Sequence, residues 1–149
     1  MLVKTYGAAV NGIDAILITI EVSVEQGILY CIVGLPDAAV KESYQRILSA
    51  VKHSNQDFPR RRVVVNMSPA DVKKEGAAYD LPIAVGILAA DEKLNASRLS
   101  EYLIMGELGL DGKLMPIKGA LSITLKAKEL GYKGIILPES NAAEAAVVN

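Results

Sequence analysis

The sequence contains no tryptophan, and aromatic residues make up only 5% of its 149 positions. A core built from it has to be aliphatic and rich in small residues. Cys31 is the single cysteine, which excludes a disulfide framework or a thiolate metal site within one chain. His53 is the single histidine, which excludes a histidine-rich metal site and leaves a Ser-His-Asp triad one residue to use. An excess of either charge is also missing, since 16 Lys and Arg face 17 Asp and Glu for a formal net charge of -1. That balance makes no global case for nucleic acid or an anionic membrane surface, and leaves only local basic patches. No apolar run reaches the ~20 residues that cross a bilayer. The N-terminus, with Lys4 in an alternating stretch, does not read as a secretory leader. The expectation is a cytoplasmic, soluble chain without a membrane partner.

What the chain has in quantity is aliphatic side chain. Hydrophobic residues are 51% and the mean hydropathy is +0.28. That composition rules against intrinsic disorder and suits one domain over 1–149 with a real core. Segments 2–10 and 13–22 alternate around Asn11-Gly12, a type I′ hairpin signal, and a third strand covers 28–33. Gly34-Leu35-Pro36-Asp37 opens a helix, and Val40, Tyr44, Ile47, Leu48 and Val51 form its apolar stripe. Glu42 and Arg46 are spaced to pair on its surface. A strand at 63–66 follows Arg60-Arg61-Arg62. Asp111-Gly112 signals a second hairpin between 102–110 and 113–117. A helix over 119–130 closes at Gly131, and a short buried strand covers 134–137. The pattern is a mixed α/β, two-layer domain.

The most informative stretch is Asn66-Met67-Ser68-Pro69-Ala70-Asp71-Val72-Lys73-Lys74-Glu75-Gly76-Ala77-Ala78-Tyr79-Asp80-Leu81-Pro82-Ile83-Ala84-Val85. It reads as strand, polar loop, then a helix apolar on nearly all sides, with Asp80 as N-cap and Pro82 in the first turn. Loops entering helix N-termini gather unpaired backbone N–H groups, so anion sites and nucleophiles are often built there.

Three groups of words, in order along nearly the whole chain, resemble the N-terminal domain of the ComM/YifB-type magnesium-chelatase-related AAA+ ATPases. The first is Ile32-Val33-Gly34-Leu35-Pro36-Asp37 with Val40-Lys41-Glu42-Ser43. The second is Val65-Asn66-Met67-Ser68-Pro69-Ala70-Asp71 with Lys74-Glu75-Gly76 and Asp80-Leu81-Pro82. The third is Gly106-Glu107-Leu108-Gly109-Leu110-Asp111-Gly112 with Pro116-Ile117-Lys118-Gly119 and Ile136-Leu137-Pro138. The resemblance implies a Lon protease-domain-like, ribosomal protein S5 domain 2-like fold. It also implies that this chain is a fragment, followed by an AAA+ module in a ring-forming homo-oligomer acting on branched DNA in recombination and natural transformation. ATP and Mg belong to that module, because this chain has no G-x-x-x-x-G-K-[ST] loop and is expected to hold no cofactor or metal.

Lon-like proteases use a Ser nucleophile and a Lys base. On the matched words, Ala78 stands at the Ser position and Leu121 at the Lys position. A methyl group cannot attack a carbonyl and Leu cannot take a proton, so the domain is expected to be non-catalytic, a pseudo-protease serving assembly, substrate guidance or regulation. Tyr79 is expected to fill the vacated pocket. A residual peptidase would need Ser68 or Ser122 with Lys74 or Lys118. Two further readings stay open. A phosphate-binding enzyme would use the loop 75–80, where Lys73, Lys74 and Gly76 are otherwise a solvated turn. A nucleic-acid-binding module would use Arg60, Arg61 and Arg62, otherwise a charged strand entry. Asp37 and Glu42 read as solvated helix residues, His53 as a group near a helix C-terminus and Cys31 as a small packed hydrophobe.

Overall fold

The computed structural model describes residues 1–148. Period-two alternation builds its main sheet. Strands β1 (Leu2–Asn11), β2 (Asp14–Glu25) and β4 (Arg62–Ser68) run antiparallel in turn, and β3 (Leu29–Val33) lies parallel to β4 at the edge, giving the order β1-β2-β4-β3. The register puts Val3, Ile20, Val22, Val24, Val63, Val65 and Met67 on one face, all buried. Ile16, at the hairpin end of that row, is 40% exposed.

The β1–β2 turn differs from the type I′ expectation. Asn11 pairs with Asp14, so the loop is Gly12-Ile13, and only Gly12 has positive φ, at 64°. A β-branched Ile resists positive φ, which selects a turn with Gly at the first central position.

The helix after β3 is split. Asp37 caps α1 (Ala38–Lys41) by accepting the Val40 N–H at 2.8 Å, and α2 (Ser43–His53) starts after Glu42. Glu42 and Arg46 do not form an ion pair; Arg46 turns instead to Asp80. α3 (Asp80–Ala90) is buried along most of its length and packs on β1 and β2, where the Thr5 hydroxyl donates to the Pro82 carbonyl at 2.9 Å.

The second hairpin is shorter than the turn signal implied. Only β6 (Glu107–Leu108) and β7 (Leu114–Met115) pair across Asp111-Gly112. β5 (Tyr102–Ile104) pairs in parallel with β8 (Gly134–Ile136), beyond α4 (Ala120–Glu129). A turn motif fixes only its immediate flanks, and the partner of β5 is set by packing. Tyr6 follows Thr5 in β1 and so points to the opposite side of the sheet, where it meets Tyr132 at 6.1 Å between ring centroids. Among the described residues no helix is long and apolar enough to cross a membrane.

Candidate functional site

The loop between β4 and α3 is laced to the loop after β3. Pro36 and Lys74 form a parallel bridge, with the Lys74 N–H on the Leu35 carbonyl at 3.1 Å and the Asp37 N–H on the Lys74 carbonyl at 2.9 Å. Gly34 is required here. Its φ is 106°, and a Cβ on it would lie 1.9 Å from the Met67 carbonyl oxygen. Asp37 serves both loops, capping α1 with Oδ1 and accepting the Gly76 N–H on Oδ2 at 3.0 Å.

This lacing overturns the expectation that Lys74 is a solvated contact. Its strand-like backbone turns the side chain inward, and the residue is 0% exposed. Nζ donates to the Gly34 carbonyl at 2.6 Å and to the Pro69 carbonyl. Burial pushes its ammonium below the usual lysine range, against the pull of Asp71. Only Lys73 remains at the surface, 3.5 Å from Glu75.

Asp80 is likewise not an N-cap. The 3-10 turn Ala77–Tyr79 runs straight into α3, so Asp80 has helical dihedrals (φ -53°, ψ -48°) where a cap needs extended ones. Its buried carboxylate takes Arg46 at both oxygens, Nε at 2.6 Å and Nη2 at 2.9 Å, and the Leu108 N–H at 3.1 Å. Burial pushes the Asp80 carboxyl up, and the Arg46 guanidinium and the Leu108 amide oppose that shift. Arg46 also donates to the Ala39 carbonyl at 2.6 Å. The i, i+4 spacing points Arg46 to Glu42, yet a carboxylate opening a wholly apolar helix is itself a sign that a cation has to reach it.

Ala78 is half-buried, and its carbonyl accepts the Gly106 N–H at 2.8 Å. Leu121 lies in the first turn of α4, 37% exposed, its N–H donating to Glu144 Oε1 at 3.1 Å. A cleft of about 340 Å³ lies between the β1–β2 hairpin and this loop, with Val10, Ile16, Lys73, Glu75 and Tyr79 in its walls. Neither Ala78 nor Leu121 is part of its lining. Tyr79 is 2% exposed, and burial raises its phenol far above the usual range, with the Asp37 and Glu75 charges adding to the shift. Of the alternative dyad residues, Ser68 Oγ contacts the Thr19 carbonyl at a long 3.5 Å, while Lys74 is held by carbonyls.

The three arginines diverge. Arg62 begins β4 opposite Glu25. Arg60 and Arg61 line a groove of about 1020 Å³ at the edge of the sheet, beside Tyr30, Tyr44 and Phe58. Burial pushes the Tyr30 phenol up to about 12, so it stays neutral. His53 lies at the end of α2 with Nδ1 2.9 Å from the Ser49 carbonyl, and Cys31 is half-buried in β3. Among the described residues no group of three or more His, Cys, Asp or Glu is gathered.

Residues 20–141 match the family described as subunit ChlI of Mg-chelatase. YifB of Salmonella typhimurium is 44% identical over 142 residues, 95% of this chain and 28% of that protein. The competence protein ComM of Haemophilus influenzae is 40% identical over 145 residues, 97% of this chain and 28% of that protein. The Lon protease of Trichlorobacter lovleyi is 28% identical over 109 residues, 68% of this chain and 13% of that enzyme. The chain therefore spans just over a quarter of the length of its YifB and ComM relatives.

Proposed function

The chain belongs to the family of the magnesium-chelatase subunit ChlI, with YifB and ComM among its relatives, and on that premise we propose that it is a non-catalytic Lon-like domain serving an ATP-driven DNA-processing motor. The single observation that carries this reading is the content of the loop and of α4. β4, its loop and α3 form a strand-loop-helix segment, and the match of words to Lon-like proteases assigns the nucleophile position to Ala78 and the base position to Leu121, in the first turn of α4. One substitute base, Lys74, has its ammonium committed to two backbone carbonyls. The domain's role is then mechanical: it positions substrate or neighbouring subunits for an AAA+ module in the same polypeptide, which binds ATP and Mg and assembles into a ring.

The relative's name, competence protein, supports DNA as what the motor acts on. Two measurements test the reading. Peptide hydrolysis by this chain is expected to be absent, and ATP hydrolysis by a longer polypeptide carrying this domain is expected to rise with DNA. A peptidase activity lost on Ser68→Ala or Lys118→Ala contradicts the first part, and a DNA-indifferent ATPase contradicts the second.

A further inference from the structure

The chain has one phenylalanine and six tyrosines, and three of these rings meet at one place. Tyr30 of β3 lies 4.4 Å from Tyr44 of α2 and 6.2 Å from Phe58, and Tyr44 lies 5.4 Å from Phe58. None is fully buried. With Leu48 they line the groove of about 1020 Å³, whose walls also carry Lys52, Arg60, Arg61 and Lys93. Asp57 and Asp91 share that wall. Asp91 is already held by Lys93 at 3.2 Å and Arg61 at 3.8 Å. Arg60 and Lys52 have no ion-pair partner among the described residues.

Neutral ring faces edged by uncommitted cations fit a ligand that is planar, aromatic and phosphorylated. We propose that this groove binds single-stranded nucleic acid, with bases against Tyr44 and Phe58 and phosphates along Lys52 and Arg60. An acidic peptide would engage the cations and leave the rings unused. A duplex keeps its bases stacked and out of reach. The free cations sit on two elements, α2 and the loop before β4, so they follow a backbone better than they clamp one mononucleotide. The contact is indifferent to sequence, because every base has a stacking face and phosphates carry no sequence information. This inference gives the DNA-processing reading above a place on the domain, and it rests on that reading for its biological setting.

The test is fluorescence anisotropy of a short labelled oligothymidylate titrated with the chain at several salt concentrations. The competitors are thymidine monophosphate, a duplex of equal length and an acidic peptide. The expected result is binding at low salt that weakens linearly in log salt, with the single strand competing best. Arg60→Ala is expected to weaken binding and cut the salt slope by about 0.7, the value for one phosphate contact on a single strand. Phe58→Leu, which keeps apolar bulk, is expected to weaken binding by about fivefold or more with the slope unchanged. Lys4→Ala, outside the groove, leaves both unchanged. Thermal melts confirm that each variant is folded. Absence of binding by the folded chain, equal binding by the Arg60 and Phe58 variants, or competition by duplex, mononucleotide or acidic peptide as good as the single strand's overturns the groove assignment. DNA-stimulated ATP hydrolysis in the longer polypeptide is read separately: its presence with an unresponsive groove discards only the groove, and its absence with a responsive groove discards only the motor.

Discussion

Lys74 shows how much a single residue's setting can differ from its type. A lysine in a polar loop next to another lysine reads as solvent-facing, yet this one is wholly buried beneath the chain that precedes it. Two carbonyls replace part of its lost hydration, and the remaining deficit lowers its pKa. The folded protein therefore releases this proton at lower pH than the unfolded chain, whose lysines titrate near about 10.4. Between the two values the unfolded state holds more protons, so Lys74 makes stability rise as pH climbs through that alkaline window. Urea denaturation across that range is expected to show the rise in the native sequence and lose it in Lys74→Met. The same substitution leaves two carbonyls unpaired and is expected to cost about 2 kcal/mol near neutral pH. Gly34→Ala is expected to cost at least about 3 kcal/mol by the same measurement, because it combines an unfavourable φ with a backbone collision.

At the scale of elements, the Arg46–Asp80 pair joins α2 to α3, and the Leu108 N–H brings β6 to the same carboxylate. Removing one member of such a pair strands a charge without its partner. Arg46→Met is expected to cost about 3–5 kcal/mol, and Arg46→Met with Asp80→Leu to recover much of that loss, because the desolvation penalty disappears with the second charge. Denaturant midpoints of the two singles and the double measure it, and singles costing under about 1 kcal/mol would show the pair to be incidental. Local elements were legible because their signals are local. The alternation from Ile18 to Val22, the all-round apolar character of α3 and the end of α4 before Gly131 all follow from periodicity and backbone preference. Long-range pairing was not. Nothing in 102–110 distinguishes a hairpin arm from a strand that pairs with 134–136, and nothing in the spacing of Glu42 and Arg46 says that Arg46 reaches Asp80 instead.

For the whole molecule, the α/β frame carries a strand-loop-helix segment from β4 to α3 and a helix α4, in which the resemblance to Lon-like proteases puts Ala78 and Leu121 at the nucleophile and base positions. The burial of Lys74, which bears on the alternative dyad, was not legible in the sequence. The central claim, that the domain guides rather than cuts, is tested most directly by incubating the folded chain with casein and with fluorogenic peptides, over a pH range that includes the lowered Lys74 titration. The expected result is no turnover above buffer at any pH, with identical traces for the native chain, Ser68→Ala and Lys118→Ala. Turnover by the native chain that either substitution abolishes would contradict it.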